Sequence, residues 1–261
     1  MSLRLLLKHN QVIVSCVLFL YISTISSEQR PVFFTSIPKA GTHLIGKCLS
    51  LLTGKEQKNN MDGFEGGGRA YFDKIHAFQD KLIFHKHLVC NEHALNFVKE
   101  GNFITFFTLR DPRDQLVSLA YWMKKYPKAF AETSSLGINQ LITYLVNKKG
   151  HFIYYYDAYI GWIKQPDVCT IKFEDLVGPQ GGGTSKKQIA EISKIARHLN
   201  LKITNADVIR VVNNLWGKTG TFRSGKIGSW KTNFTQKQKN TFKKNFGQLL
   251  IDLGYEKDLN W

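Results

Sequence analysis

A lysine and a glycine lie close together in a loop between a predicted strand and a predicted helix. Residues 31–36 are mainly β-branched and aromatic and predict the strand, and apolar residues at helical spacing begin after Thr42. In this layout the backbone N–H groups and the dipole at the start of the helix favour an anion, and Gly41 lets the backbone come close to it. Lys39 can reach one of the anion's oxygens. The loop therefore predicts a phosphate-binding site.

The loop differs from the loop GxxxxGK[ST] that binds nucleoside triphosphates, because Lys39 precedes Gly41. Residues 220–226 do spell GxxxxGK, but Ile227 follows where a Mg²⁺-binding Ser or Thr is required. No apolar strand leads into that segment either. A small-molecule kinase of the P-loop type stays open as an alternative function, without the motif that would support it.

An arginine and a serine follow the most apolar predicted strand, residues 102–109. Arg110 comes directly after this strand, and Ser118 lies two turns into the next helix. The carboxyl ends of parallel strands are where ligands bind in open α/β sheets. Both side chains can donate charge-assisted or ordinary hydrogen bonds to a phosphate there. For Arg113 and Asp114, between them, we expect ion pairs at the surface.

Two histidines follow another short strand candidate, residues 81–84. They are His85 and His87. An imidazole whose pKa lies near neutrality can take a proton from a hydroxyl group. Histidines near strand ends also have ordinary structural roles, so the position by itself does not assign a base.

These segments resemble the motifs of sulfotransferases that use 3′-phosphoadenosine 5′-phosphosulfate (PAPS). Residues 37–42 (IPKAGT) resemble the family's PKSGTTW loop for the 5′-phosphosulfate. Arg110 and Ser118 resemble its element for the 3′-phosphate, an arginine and a serine eight positions apart. Residues 222–231 (FRSGKIGSWK) resemble the late motif RKGxxGDWK, which binds the 3′-phosphate again. Three motifs in the family's order are more specific than any one of them.

The resemblance implies transfer of a sulfuryl group from PAPS to a hydroxyl or amine acceptor by in-line displacement, without a metal. His87 matches the histidine of the family's KTHLP segment, which acts as the general base. Lys39 matches the lysine that neutralises charge on the leaving oxygen, so we expect both residues to be catalytic. The resemblance places the donor site at Lys39, Ala40, Gly41, Thr42, His43, Arg110, Ser118, Phe173, Trp216, Arg223, Ser224 and Gly225.

Several positions depart from the family's pattern. His85 replaces a lysine, which makes one charge near the sulfuryl group dependent on pH, and Ser224 replaces a lysine that contacts phosphate. Leu44 replaces a tryptophan after the phosphate loop. Contacts to adenine are expected from Phe173, where the family often has tyrosine, and from Trp216. Core packing accounts for such aromatic residues equally well.

Short apolar strands that alternate with helices predict an α/β fold. We expect one domain, residues 28–261, with a central, mainly parallel β-sheet flanked by helices and a phosphate loop like that of P-loop NTPases. Residues 55–70 are rich in glycine and predict a loop. Another strand is predicted at 168–173, and further helices at 136–147, 152–163, 186–199, 205–214 and from Thr235 onward.

The chain has 261 residues and a net charge of +16. Its composition excludes a disordered chain, collagen and a small disulfide scaffold. The charge predicts an anionic partner, and a non-enzymatic binder of nucleic acid or acidic glycan is a second alternative. No Asp or Glu occurs between Val208 and Ile251. In that stretch the donor accounts for Arg223. The last helix carries a group of lysines that form either a solvated face or a binding surface for an acidic acceptor: Lys237, Lys239, Lys243 and Lys244.

The N-terminus has a basic start, an apolar run over residues 12–25 and small residues after it. This pattern is typical of a signal peptide or a short anchor over residues 1–27. We therefore expect an exported or membrane-anchored domain, with a cytoplasmic location as the fallback. Cys48, Cys90 and Cys169 lie in apolar contexts and predict three buried free thiols.

The sequence does not identify the acceptor. A small molecule, a lipid and a glycan all remain possible, and the PAPS reading does not call for nucleic acid. Tyr154, Tyr155, Tyr156 and Trp162 could line an apolar acceptor pocket or pack a helix against the sheet. The family's dimer-forming segment KxxxTVxxxE is only partly present, so we infer no dimer.

Overall fold

Parallel strands form the centre of the structure, a computed structural model that describes residues 30–59, 69–147, 156–217 and 222–261. Within these residues a five-stranded sheet has the order β2-β3-β1-β4-β5, and each neighbouring pair is parallel. This confirms the predicted α/β class. The strands are β1 (Val32–Ser36), β2 (Glu56–Asn59), β3 (Leu82–His85), β4 (Ile104–Leu109) and β5 (Val168–Lys172).

Helices connect the strands and extend to the end of the chain. The α-helices are α1 (Thr42–Thr53), α2 (Arg69–Ala77), α3 (Glu92–Glu100), α4 (Pro112–Lys125), α5 (Ile138–Asn147), α6 (Phe173–Leu176), α7 (Ser185–His198), α8 (Asn205–Leu215), α9 (Trp230–Asn233) and α10 (Gln236–Asp252). Short 3₁₀ segments are Pro127–Thr133, Gly161–Lys164 and Pro179–Gly181. Residues 156–160 are also helical, whereas residues 152–155 of the helix predicted there lie outside the described part.

Apolar residues on both faces of the sheet explain why helices cover both. Successive strand side chains point to opposite faces. Phe33 of β1 packs in a cluster with Phe97 of α3, whereas Phe34 packs on the other face with Ile45 of α1 and with residues of α7 and α8. Phe107 of β4 joins the largest cluster, which includes apolar residues of α4, α5 and α10.

The ends of α4 and α10 confirm the capping signals in the sequence. The Asp111 carboxylate accepts a hydrogen bond from the Arg113 N–H, and Pro112 follows as the first helical residue. At α10, Thr235 and Gln238 bond to each other's backbone N–H groups in a capping box. The Asp111 cap fixes the start of α4 close to the end of β4, and the Thr235 cap fixes the start of α10.

The loop predicted over residues 55–70 was wrong at both ends. Glu56–Asn59 form β2, which pairs with β3 at the edge of the sheet, and Arg69 begins α2. The reason lies in the polarity of β2: an edge strand with the sequence EQKN lacks the apolar pattern by which strands are recognised. Residues 60–68 lie outside the described part of the chain.

The expected surface ion pairs at Arg113 and Asp114 were also wrong, because both residues are buried. The guanidinium of Arg113 makes a two-pronged contact with the Asp111 carboxylate, with N–O distances of 2.9 and 2.7 Å, and also reaches Glu256. It lies 4.2 Å from the Trp230 ring and 4.5 Å from the Trp261 ring. This packing ties the segment after α10 to the start of α4.

The structure tests the cysteine and membrane predictions only in part. Cys48 and Cys169 are buried free thiols as expected, whereas Cys90 is only half-buried. Within the ranges the structure covers, no helix has the length and apolar character needed to cross a membrane. The predicted signal peptide or anchor at residues 1–27 lies outside the described residues, so it stays a prediction.

Removal of the Arg113 side chain is expected to destabilise the fold strongly. Arg113→Ala leaves the buried Asp111 carboxylate without its cation, and such a loss costs about 3–5 kcal/mol in free energy of unfolding. As a control, Lys187→Ala breaks an ion pair with Asp175 whose lysine side chain is 64% exposed, and it should cost at most about 1 kcal/mol. Chemical denaturation measures both losses, and equal losses would contradict this account of α4.

Candidate active site

A cavity of about 760 Å³ opens at the carboxyl ends of the strands. That location is the one expected for ligands of a parallel sheet. The cavity is lined by these predicted site residues: Lys39, Gly41, Thr42, His43, His87, Arg110, Ser118, Phe173, Trp216, Arg223, Ser224 and Gly225. Ala40 does not line it, since its side chain is fully buried and its N–H donates to the Ile37 carbonyl at 3.0 Å.

Backbone conformation shapes the phosphate loop between β1 and α1. Lys39 and Gly41 both have positive φ, 70° and 104°. A side-chain carbon on Gly41 would lie 2.7 Å from the Phe173 ring, so only glycine fits without a shift. The Gln115 side chain, which also lines the cavity, holds the loop because its amide donates to the Pro38 carbonyl at 2.7 Å.

Lys39 points its ammonium group over an aromatic ring at the cavity wall. Its Nζ lies 5.2 Å from the centre of the Trp122 ring. Burial, with a smaller contribution from the nearby charge of Lys125, lowers the pKa of Lys39 to about 8. The residue is therefore mostly charged at pH 7 and loses its charge above about pH 8.

His87 is held by the end of β1. Its Nδ1 lies 2.8 Å from the Ser36 carbonyl oxygen and 3.3 Å from the Ser36 hydroxyl. Because a carbonyl only accepts hydrogen bonds, Nδ1 carries the proton in the neutral ring and Nε2 keeps a lone pair. Protein atoms crowd the ring although it opens to the cavity, and this desolvation lowers the pKa of His87. The hydrogen bond to Ser36 opposes that shift, and the charge of Lys39 adds to it.

Two further histidines, His43 and His85, line the cavity with His87. His85 is buried and stacks on Phe34, with ring centres 4.5 Å apart, and lies edge-on to His87 at 4.8 Å. Burial lowers the pKa of His85 to about 3, with smaller contributions from His87 and His43. His85 is therefore neutral over the physiological range. The expectation that it supplies a pH-dependent positive charge was wrong, because burial at the end of β3 excludes the charged form.

Arg110 lies flat against an aromatic ring at the end of β4. Its guanidinium carbon is 4.2 Å from the centre of the Phe173 ring, and its Nη2 donates to the Lys226 carbonyl at 2.7 Å. Its Nε is buried and has no hydrogen-bond partner. A buried unsatisfied guanidinium N–H is the kind of group that a phosphate oxygen can accept from.

Asp114 is a site residue that the motif reading missed. Its carboxylate accepts hydrogen bonds from the Gly228 N–H at 2.7 Å, the Ser229 hydroxyl at 2.9 Å and the Trp230 N–H at 3.0 Å. It also lies 3.6 Å from the Arg110 guanidinium. Asp114 lies four positions after Arg110 and four positions before Ser118 of the same helix, so this spacing was the signal that could have found Asp114.

Another wall of the cavity, called the far wall, consists of residues 222–225. The guanidinium of Arg223 stacks over the Tyr121 ring at 4.2 Å. Gly225 has a φ of 58°, and a side-chain carbon there would lie 2.9 Å from the Trp216 ring. Trp216 itself lines the cavity and meets Phe222 edge-on at 5.3 Å. Residues 218–221, which include the first two positions of the rejected GxxxxGK segment, lie outside the described part.

For Tyr156 and Trp162, the structure favours the alternative of packing in the core over that of lining an acceptor pocket. Tyr156 and Trp162 are fully buried in the main core cluster, and neither lines the cavity. The Trp162 indole donates to the Leu88 carbonyl at 2.9 Å, next to His87. Tyr154 and Tyr155 lie outside the described residues, so their part of the prediction is not tested.

No set of three or more His, Cys, Asp and Glu side chains among the described residues is arranged to hold a metal ion. The three cavity histidines interact with the backbone and with one another. Independence from metal stays a prediction for this chain.

Solved structures share this fold. One is mouse sulfotransferase SULT7A1 complexed with PAP, with a TM-score of 0.65, 19% sequence identity and 89% of each chain covered. Another is retinol dehydratase in complex with androsterone and inactive cofactor PAP, with a TM-score of 0.57 and 15% identity over 88% of this chain and 83% of the other. At these identities the likeness shows the fold alone.

The sequence itself carries the family assignment. A search of curated protein sequences gives no significant match. The family described as "Sulfotransferase domain", by contrast, matches residues 29–254, which include each strand and each cavity residue described above. This match confirms the family that the three motifs predicted. The chain thus belongs to the sulfotransferase family.

Proposed function

We propose that the chain transfers a sulfuryl group from PAPS to a hydroxyl group of an acceptor, with His87 as the general base. The observation that carries the proposal is the convergence of Lys39, Arg110 and Arg223 with an oriented imidazole around one cavity. The structural neighbours that hold PAP support it, because PAP is what remains of PAPS after the sulfuryl group has left.

The cavity fits a nucleotide that carries phosphates at both ends of its ribose. Cations and N–H donors lie at the phosphate loop and, separately, at Arg110, Ser118 and Arg223. The unpartnered Nε of Arg110 is a feature that an anionic ligand would explain. Phe173 and Trp216 supply aromatic surface for a base.

PAPS, when bound, supplies the sulfuryl group, whose bond to the bridging oxygen breaks as the acceptor oxygen bonds to sulfur. The lone pair on His87 Nε2 accepts the proton of the acceptor hydroxyl, while the Nδ1–H stays on the Ser36 carbonyl. The ammonium of Lys39 and the N–H groups at the start of α1 stabilise negative charge on the leaving phosphate side. Positioning and electrostatics, rather than a covalent intermediate, are the chain's contribution.

The acceptor is proposed to be a small molecule with a hydroxyl group. The neighbouring structures of retinol dehydratase contain androsterone or retinol, and the cavity is large enough for a drug-sized molecule beside a nucleotide's phosphates. A panel of phenols, sterols, lipids and glycans with sulfur-labelled PAPS tests this directly. Transfer that requires Mg²⁺ and ATP instead of PAPS would favour the kinase alternative.

Loss of the imidazole at position 87 is expected to abolish most turnover. His87→Ala should lower kcat by about 10²–10⁴-fold, because the acceptor proton then has no positioned base. The Kd for PAP should stay unchanged. Radiolabel transfer and calorimetry measure the two quantities.

The matched control is His93→Ala, which removes an exposed histidine of α3 that does not line the cavity. It should leave both quantities unchanged. Wild-type turnover in His87→Ala would refute the assignment of the base.

The pH dependence of kcat/KM should have two limbs, because this parameter reports groups of the free enzyme. The acid limb should fall below the ordinary histidine pKa of 6.5, since the pKa of His87 is lowered. The alkaline limb should lie near pH 8, where Lys39 loses its charge. Lys39→Arg keeps a positive charge to higher pH and should move only the alkaline limb upward. An alkaline limb that does not move would show that another group causes it.

Weakening of the Asp114 contacts is expected to loosen the wall that carries Arg223. Asp114→Asn replaces an acceptor of three hydrogen bonds by an amide that cannot accept them all, so the Kd for PAP should rise about tenfold or more. Ser229→Ala removes one of the three contacts and should have a smaller effect in the same direction. Asp252→Asn, on the exposed end of α10, is the charge-matched control. An unchanged Kd in a folded Asp114→Asn would contradict the role of the network.

A further inference from the structure

Arg223 of the far wall is oriented by an aromatic side chain. Its guanidinium carbon lies 4.2 Å from the centre of the Tyr121 ring of α4, and Arg223 lines the cavity whereas Tyr121 does not. The ring therefore contacts one face of the guanidinium without taking up space that a ligand needs. Within the ranges of the chain that the structure describes, the Arg223 side chain makes neither an ion pair nor a hydrogen bond.

The Tyr121 ring is itself fixed at its hydroxyl group. This hydroxyl donates to the side-chain oxygen of Asn233 at 3.1 Å, and the Asn233 amide donates to the Ser229 carbonyl at 2.8 Å. The Ser229 hydroxyl in turn donates to the buried carboxylate of Asp114 at 2.9 Å. A chain of hydrogen bonds thus runs from the start of α4 through α9 to the ring that supports Arg223.

This arrangement leaves the edge of the guanidinium available to a ligand. A stacked arginine presents its flat face to the ring, whereas its N–H donors lie around the edge and can bond to two oxygens of one phosphate. The next residue, Ser224, stands where the sulfotransferase motif has a phosphate-binding lysine, so Arg223 is the one cation among residues 222–225. Phosphate binding at the far wall therefore depends on where this guanidinium is held.

We propose that Tyr121, fixed by Asn233, is a positioning residue that holds the Arg223 guanidinium ready for the 3′-phosphate of the donor. Because the ring already orients the guanidinium, less side-chain entropy is lost when the phosphate binds. A nucleotide without a 3′-phosphate gains nothing from this orientation. The ring thus contributes to the choice of PAPS over simpler adenine nucleotides. The inference rests on the proposed function, because it concerns the donor of that same reaction.

Two nucleotides that differ in the 3′-phosphate alone test the inference: PAP and adenosine 5′-monophosphate (AMP). Calorimetry measures both Kd values, and their ratio gives the preference for PAP. Tyr121→Leu removes the ring and should lower this preference about threefold or more, through weaker binding of PAP. Tyr121→Phe keeps the ring and loses only the hydroxyl, so it should lower the preference to a smaller extent.

The control variant is Tyr126→Leu, which makes the same change at an exposed tyrosine directly after α4 that does not line the cavity, and it should keep the preference. In an Arg223→Ala background, Tyr121→Leu should have no further effect on the preference, because the ring acts through that guanidinium.

Three results would overturn the inference and leave Tyr121 as a packing residue only. They are a preference that Tyr121→Leu does not change, an equal loss of affinity for both nucleotides, and a loss of preference that persists in the Arg223→Ala background. A wild-type protein that binds PAP no more tightly than AMP would count against the proposed function as well as against this inference.

Discussion

The site depends on the hydrogen bond between His87 and the carbonyl of Ser36. Ser36 is the last residue of β1, and its hydroxyl also contacts the Thr42 hydroxyl at 2.7 Å, where α1 begins. One residue therefore sets the position of the imidazole and of the phosphate loop. The parallel pairing of β1 with β3, in which Phe34 lies opposite His85, brings the two segments to the same edge. Catalysis by positioning requires such a shared reference point.

A second constraint is the burial of charge at the start of α4. Arg113 and Asp114 are neighbours in sequence but bind different segments. Arg113 binds the segment after α10, and Asp114 binds residues 228–230. Buried ions require partners of this quality, because desolvation costs several kcal/mol for each. The same helix start thus fixes both the far wall of the cavity and Arg110. Some of the +16 charge has structural uses too, since Lys243 donates to the Trp261 carbonyl.

Local motifs made many of the residues that line the cavity predictable from the sequence, whereas contacts between residues far apart in the sequence had no local signal. The loop at Lys39 and Gly41 and the Arg110–Ser118 spacing are local signals, and the cavity contains all four residues. Asp114 was misread as a surface residue because its partners are more than a hundred positions away. The strand β2 was missed because its sequence is polar, and only its pairing with β3 identifies it as a strand.

The most direct test of the account is the imidazole of His87 in a ¹⁵N-labelled protein, assigned by comparison with His87→Gln. Long-range ¹H–¹⁵N spectra identify which ring nitrogen carries the proton, and a titration gives the pKa. We predict a proton on Nδ1, an unprotonated Nε2 at neutral pH, and a pKa below the ordinary value of 6.5. A proton on Nε2 at pH 7 would contradict the proposal, because Nε2 could not then accept a proton from the acceptor. A pKa above 6.5 would contradict the desolvation of the ring that the structure shows.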